Sequence, residues 1–398
     1  MTVTDMAPGS TAGASSSTQI VMDRSGFDGL LSALQGAGYE VIGPRARNGS
    51  IIYDEVQETS DLPIGLTEVQ EAGTYRLEQR GDEALFGFAS SPESWKKYLF
   101  PPRETLWKAT REDGSLTIQE PDSPPRKLAF IGVRSCDLHA IAIQDHIFIG
   151  GPYVDSTYEA RRRNICLIAV NCGQAGGTCF CTSMGTGPKA QCGFDLALTE
   201  VIEDGRHYFV VDVGSDLGMH LISEIRYSAA TEAESHAANN VSETTAAHMG
   251  RTMAADGLQQ LLRRNYQTPQ WDEIASRCLS CGNCTLVCPT CFCSAVEDTT
   301  DLTGDVAERT RRWDSCFTSA HSYIHGGSVR PSPTSRYRQW MTHKLGTWWD
   351  QFGMSGCTGC GRCITWCPVG IDLTAEVAVM RASESEHESE EEGSHGFA

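Results

Sequence analysis

Two cysteine runs with the same spacing lie in the last third of this sequence of 398 residues. They read Cys278-x2-Cys281-x2-Cys284-x3-Cys288-Pro289 and Cys357-x2-Cys360-x2-Cys363-x3-Cys367-Pro368. In two-cluster iron–sulfur proteins with this spacing, three thiolates of a run bind one [4Fe–4S] cluster and the fourth binds the other cluster. The sequence therefore predicts cluster I on Cys278, Cys281, Cys284 and Cys367, and cluster II on Cys357, Cys360, Cys363 and Cys288.

Zinc is the alternative occupant, because paired CxxC sequences also form tetrahedral zinc sites. Two runs of four cysteines, each closed by proline, fit that alternative poorly. Because each run gives its fourth thiolate to the other cluster, the two clusters must lie close together. This arrangement predicts an electron relay.

The composition of the sequence predicts the cellular location of the protein and excludes some classes of ligand. Residues 1–19 have no basic start and no apolar segment, so we predict no signal peptide, and the longest aliphatic run, Ile165–Val170, is too short to cross a membrane. Cysteines with metal-ligand spacing then predict a reducing cytoplasmic location. The net charge of −19 argues against nucleic-acid binding, which requires basic clusters.

Two further cysteines follow predicted strands. Cys136 comes after Leu128–Val133, and Cys172 comes after Ile165–Val170. If these strands are adjacent and parallel, both thiols emerge at the edge of the sheet where α/β folds place ligands.

A glycine-rich loop, residues 173–187, carries Cys179 and Cys181. Its glycines allow backbone N–H groups to approach sulfide. We predict a third iron–sulfur cluster, cluster III, with Asp137 as a possible substitute ligand. The alternative is a set of reduced thiols that pack a loop. The predicted ligands are Cys136, Cys172, Cys179 and Cys181.

The other cysteines have simpler interpretations. Cys166 lies inside an apolar strand and is predicted to be a buried hydrophobic residue. Cys291, Cys293 and Cys316 are predicted to pack against cluster II or to donate weak S–H contacts. The basic and aromatic stretch at 336–344 either faces a partner or pairs with the anionic clusters.

The fold class predicted is an α+β or α/β N-terminal domain followed by an α-helical dicluster [4Fe–4S] ferredoxin-like domain. Strand-like and helical segments interleave before residue 228, and a helical elaboration separates the two cysteine runs. The predicted divisions are a disordered N-terminus at 1–19, the α/β domain at 20–228, a polar linker at 229–250, the dicluster domain at 251–381, and an acidic disordered tail at 382–398.

No catalytic residues are predicted. The sequence has no G-x-G-x-x-G after a strand, no P-loop, and no recognisable Ser/His/Asp or Cys/His nucleophile arrangement. We therefore expect no nucleotide-binding residues and no flavin or nickel in this chain. Its chemistry is predicted to be the transfer of electrons.

Several motifs together resemble a known family: the β subunits of soluble NAD(P)-coupled nickel–iron hydrogenases (sulfhydrogenases), which also includes the electron-transfer subunit of anaerobic sulfite reductase. The segment 229–248 and the acidic tail are departures from its usual length. The motifs lie at 132–141 (GVRSCDLHAI), 171–172 (NC), 178–188 (TCFCTSMGTGP), 288–293 (CPTCFC), 312–317 (RWDSCF), 336–339 (RYRQ), 359–363 (GCGRC) and 367–372 (CPVGID).

The resemblance implies a non-catalytic electron-transfer subunit of a cytoplasmic complex. Its partners would be the small and large subunits of a nickel–iron hydrogenase, together with a flavin/[2Fe–2S] NAD(P)H-oxidoreductase subunit. In the sulfite reductase alternative, the terminal partner is a sirohaem subunit. A second alternative is a free-standing iron–sulfur oxidoreductase.

Overall fold

The fold is that of a computed structural model, which describes residues 19–120 and 126–394. The disorder predicted for 1–18 and for 395–398 lies outside these residues. In chain order the strands are β1 (Gln19–Asp23), β2 (Glu40–Arg47), β3 (Ser50–Glu55), β4 (Leu66–Glu71), β5 (Thr74–Gln79), β6 (Arg103–Glu112), β7 (Ser115–Gln119), β8 (Leu128–Val133), β9 (Ile165–Val170), β10 (Leu196–Glu203), β11 (Arg206–Val213), β12 (Ser228–Ala229), β13 (Ser294–Thr300), β14 (Val306–Trp313), β15 (Tyr323–Ile324) and β16 (Gly327–Ser328).

Helices alternate with these strands in the first half and dominate the second. A 3₁₀ turn covers Thr59–Asp61 and a π-helical turn covers His343–Thr347. The α-helices are α1 (Gly26–Gly36), α2 (Lys96–Leu99), α3 (Ser135–Phe148), α4 (Ser156–Arg162), α5 (Asp216–Ser223), α6 (Glu232–Ala247), α7 (Leu258–Arg264), α8 (Gln270–Arg277), α9 (Asn283–Leu286), α10 (Pro333–Thr342), α11 (Trp348–Phe352), α12 (Arg362–Thr365) and α13 (Leu373–Ser394).

A mixed sheet of eight strands forms the centre of the N-terminal half, in the order β12-β1-β11-β10-β9-β8-β2-β3. Strands β2, β8, β9 and β10 run parallel to their neighbours in this group. Every residue of β8 is buried, as expected for a parallel strand covered on both faces. Because β8 and β9 are adjacent and parallel, their carboxyl ends lie at the same edge, as the sequence predicts.

A second hydrophobic core belongs to the C-terminal half. It includes Trp271 of α8, Trp340 of α10 and Val377 of α13, and partly buried cysteines of both runs pack against it. The predicted fold class, a mixed α/β region followed by a dicluster region, is confirmed.

The segment between the two cysteine runs begins with a β-hairpin, β13–β14, and not with the helical sequence we predicted. Strand β14 pairs with β6 of the N-terminal half in a four-stranded antiparallel sheet, β13-β14-β6-β7. The two halves of the chain therefore share a sheet.

Two segments predicted to lack regular structure are helical. The polar linker contains α6, which begins with a capping box between Thr231 and Glu234 and packs residues such as Ala238 on the sheet. The acidic tail continues α13 as far as Ser394, and Glu384 forms an ion pair with Arg264. Alanine and glutamate favour helix, which outweighs the polar composition that suggested a linker and disorder.

None of the helices within 19–120 and 126–394 combines the length and the apolar character needed to span a membrane.

Candidate metal centres

Each cysteine run folds as a tight loop that leads into a helix of one turn. Gly282 precedes α9 with φ of 75°, and Gly361 precedes α12 with φ of 73°. Both residues have the left-handed conformation that glycine adopts without strain. The two runs are therefore equivalent in local structure as well as in spacing.

The loops bring the predicted ligands together in two pockets. The first pocket is lined by Cys278, Cys281, Cys284 and Cys367, and the second by Cys357, Cys360, Cys363 and Cys288. These are the crossed groups that the sequence predicts, and Cys363 also reaches the first pocket. The pockets are therefore direct neighbours.

The thiol groups that line the two pockets suit the binding of an iron–sulfur cluster, whose iron ions are positively charged. Burial raises the pKa of the Cys284 thiol well above its ordinary value, and the charges of Cys278, Cys367 and Cys281 raise it further. Burial, with the charges of Cys357 and Cys360, has the same effect on the pKa of Cys363. Thiolates crowded in this way need a compensating positive charge, which bound iron would supply.

Polar groups that line the pockets also lack protein partners. Tyr337 and Trp340 line the first pocket, and neither the Tyr337 hydroxyl nor the Trp340 indole N–H, both buried, has a hydrogen-bond partner within the described residues. The same holds for the buried Thr358 hydroxyl, beside the second pocket. Buried donors of this kind are normally paired, and thiolate or sulfide would accept from them.

The geometry gives the zinc alternative no support. Among residues 19–120 and 126–394, no group of three or more His, Cys, Asp and Glu is arranged to hold a single metal ion. Tetrahedral zinc would need its thiolates about 2.3 Å from one ion, whereas a cluster spreads its ligands over several irons.

Two buried lysines flank Cys288 of the second pocket. Lys344 Nζ donates to Cys288 Sγ at 3.2 Å and to the Thr290 hydroxyl at 3.0 Å. Burial opposes its charge, but the thiolates of Cys288 and its neighbours raise the pKa of Lys344 well above its usual value. Lys96 Nζ donates to the backbone oxygen of Cys288 at 2.9 Å. Lys344 therefore pairs with a predicted cluster ligand and does not face a partner.

The four cysteines predicted for cluster III also come together. Cys136 and Cys181 pack against Cys360 of the second pocket in a buried group. Burial raises the pKa of Cys181 to about 12, with added repulsion from Cys172, and burial and the charges of Cys181 and Cys172 raise the pKa of Cys179. This third thiol group thus adjoins the second pocket and has the same need for positive charge.

Asp137, considered as a substitute ligand, is engaged elsewhere. Its two carboxylate oxygens accept from Arg362 at 2.7 and 2.9 Å, and both side chains are almost wholly buried. Arg362 also donates to the Ser91 backbone oxygen at 2.8 Å. The ion pair occupies the carboxylate and joins the start of α3 to the second cysteine run.

The loop that carries Cys179 and Cys181 docks directly on that run. Phe180 N donates to Gly359 O at 2.8 Å, and the Thr186 hydroxyl donates to Thr358 O at 2.6 Å. A Cβ at Gly361 would collide with the backbone oxygen of Thr178, so this contact also requires glycine.

Four of the five remaining cysteines lie at three places in the fold, and the fifth, Cys192, is exposed. Cys166 is fully buried in β9, as predicted. Cys291 interacts electrostatically with Cys288 of the second pocket, and its packing role stays a prediction. Cys293 interacts in the same way with Cys316 and with His321. The sequence does not show this Cys/His arrangement, because its members are separated along the chain and meet only through hairpin β13–β14 and the turn that follows it.

Comparisons with known proteins agree with the paired cysteine runs. Residues 277–371 match the family model of the 4Fe-4S dicluster domain. Sulfhydrogenase 2 subunit beta of Pyrococcus furiosus is 33% identical over 309 residues, which cover 76% of this chain and 88% of that protein. The prediction of iron–sulfur clusters is thereby confirmed, while their number and ligands stay predictions.

Proposed function

The chain belongs to the family of hydrogenase β subunits, and from this we propose that it relays single electrons between a flavin/[2Fe–2S] NAD(P)H-oxidoreductase partner and the small subunit of a cytoplasmic nickel–iron hydrogenase. The large subunit would carry the nickel–iron centre. The observation that carries the proposal is the convergence of eight cysteines in two adjoining pockets. Iron–sulfur clusters that lie so near each other pass electrons from one to the other, and they need no substrate site of their own.

The exposure of the residues around each pocket indicates the order in which the clusters are arranged along the relay. Cys281 of the first pocket is exposed, beside Leu279 at 63% and Val369 at 39% exposure. The second pocket lies between the first pocket and the third thiol group. Cluster I is therefore the end where we propose that one partner docks, because its apolar rim is accessible.

We expect the isolated, cluster-loaded chain to show no NAD(P)H-dependent and no hydrogen-dependent dye reduction. Both activities should appear only when partner subunits are added, since the relay contributes no substrate site. Purifying the native complex and analysing it for nickel and sirohaem distinguishes the hydrogenase from the sulfite reductase alternative. Dye reduction by the isolated chain at the rate of the complex would contradict the proposal.

We also propose cluster III on Cys136, Cys172, Cys179 and Cys181. Reconstituted protein should then bind more than the about eight irons of two four-iron clusters. Replacing Cys179 with serine should reduce iron to about that level and leave the spectra of clusters I and II intact. A wild-type chain that saturates at about eight irons would refute cluster III.

Replacing Lys344 with methionine should lower the reduction potential of cluster II by roughly 130 mV. A unit charge about 5 Å away contributes roughly 3 kcal/mol at an effective dielectric constant of about 20, and about 60 mV corresponds to a tenfold change in a one-electron equilibrium. The measurement is a potentiometric titration followed by EPR. Lys108→Met, at an exposed position of β6, is the matched control and should leave the potential unchanged. An unchanged potential in Lys344→Met would show that Lys344 does not act on the cluster.

A further inference from the structure

Hairpin β13–β14 brings two cysteines to the same end, outside the three predicted cluster sites. Cys293 immediately precedes β13, and the backbone N–H of Asp314, just after β14, donates to its carbonyl at 2.9 Å. Cys316 follows two residues later, and its thiol interacts electrostatically with that of Cys293. Both residues are partly exposed, in contrast to the fully buried Cys166.

A histidine held by a carboxylate completes this group. His321 Nδ1 lies 3.1 Å from Asp314 Oδ2, and His321 also interacts electrostatically with Cys293. The other oxygen of Asp314 accepts from the Ser315 backbone N–H and the Thr318 hydroxyl, both at 2.8 Å. Asp314 is therefore fixed and orients the ring, the relation that activates nucleophilic thiols in enzymes.

The electrostatics of the group agree with its geometry. Cys316 and then His321 together lower the pKa of Cys293 to about 4, against the effect of burial, which raises it. The pKa of His321 is raised, chiefly by Cys293 and then by Asp314. Other ionisable groups that interact with Cys293 are Lys96, His343 and Cys291.

We propose that Cys293 and Cys316 form a redox-active dithiol that exchanges with disulfides of small thiols, with His321 as the proton carrier. The proposal goes beyond the electron relay and does not depend on it. The arrangement fits exchange better than the binding of a single metal ion, for which no group of three or more His, Cys, Asp and Glu among the described residues is arranged.

The exchange is balanced in two steps. The Cys293 thiolate attacks one sulfur of the disulfide, the S–S bond breaks, and the departing thiolate takes a proton from the His321 imidazolium. The Cys316 thiol then gives its proton to His321 and attacks the Cys293 sulfur. The second small thiolate leaves and takes that proton. Two protein thiols are oxidised to one disulfide, and one small disulfide is reduced to two thiols.

The test treats the cluster-loaded full-length chain with oxidised glutathione under anaerobic conditions. Free thiols are then blocked with N-ethylmaleimide and the peptides are identified by mass spectrometry. We expect a Cys293–Cys316 disulfide, and in Cys316→Ser a glutathione adduct trapped on Cys293. The exposed Cys192 serves as the reference thiol.

The pH profile is more diagnostic than the rate at neutral pH, because a thiolate of lower pKa is also a weaker nucleophile. Between pH 8 and pH 6 the modification of an ordinary exposed thiol falls about tenfold per unit as its thiolate is lost. The rate at which oxidised glutathione reacts with Cys293 should change less than about threefold over this range. In the His321→Asn variant the same rate should be at least about tenfold lower at pH 6.

Two outcomes would overturn the proposal. One is a pH profile of Cys293 that matches that of Cys192, with no Cys293–Cys316 disulfide. The other is loss of iron from Cys293→Ser or Cys316→Ser, which would make these residues cluster ligands. Because iron content and thiol exchange are measured separately, the two outcomes can be distinguished even if a variant is unstable.

Discussion

Replacing Arg362 with leucine is expected to destabilise the cluster-loaded chain by about 3–5 kcal/mol, because removing one partner of a buried ion pair leaves the other charge without compensation. Arg362 is fully buried, and Asp137 is 2% exposed. The pair is also the link between α3 and the second cysteine run. The measurement is the midpoint of anaerobic thermal unfolding, followed by far-UV circular dichroism and by cluster absorbance.

The double variant Asp137→Leu with Arg362→Leu is expected to recover most of that loss, because it leaves no unpaired charge. Arg163→Leu is the matched control. Its ion pair with Glu159 is exposed to solvent on the arginine side, at 73%, and water screens such pairs. If the double variant is no more stable than Arg362→Leu, the loss comes from packing and not from the charge. If the iron content of the double variant is the same as that of the wild-type chain, Asp137 is not a cluster ligand.

The sequence predicts those features that depend on local patterns. Strands Leu128–Val133 and Ile165–Val170 have the predicted bounds because central parallel strands are apolar throughout. The paired cysteine runs are recognisable because a cluster takes three ligands from one tight loop. Their convergence in space follows from the spacing once the crossed fourth ligand is assumed.

Features that depend on distant contacts are not predicted. Nothing in β6 indicates that it pairs with β14, about half the chain away. Helix α6 carries a local signal, the capping box at Thr231 and Glu234, but its polar composition hides its packing on the sheet. Cys293 and His321 meet only because hairpin β13–β14 closes, so no spacing rule connects them.

Replacing Cys288 with alanine is expected to eliminate the [4Fe–4S] signal of cluster II and to leave that of cluster I intact. Cys288 lies in the first run, but its thiol lines the second pocket with Cys357, Cys360 and Cys363. In ferredoxins with this spacing each [4Fe–4S] cluster is held by four thiolates, so loss of the fourth leaves one iron without its ligand. Loss of Cys288 also leaves Lys344 buried without the thiolate that it contacts. The measurement is EPR of the reduced protein together with iron content.

The reciprocal variant, Cys367→Ala, should affect cluster I and spare cluster II, because Cys367 lines the first pocket. Cys166→Ala removes a fully buried cysteine of β9 far from the pockets in sequence, and should leave both signals and the iron content unchanged. If Cys288→Ala instead removed the cluster held by Cys278, Cys281 and Cys284, each run would bind its own cluster. The close contact between the pockets would then arise from packing alone, and the crossed ligands would not be what joins the two clusters into one relay.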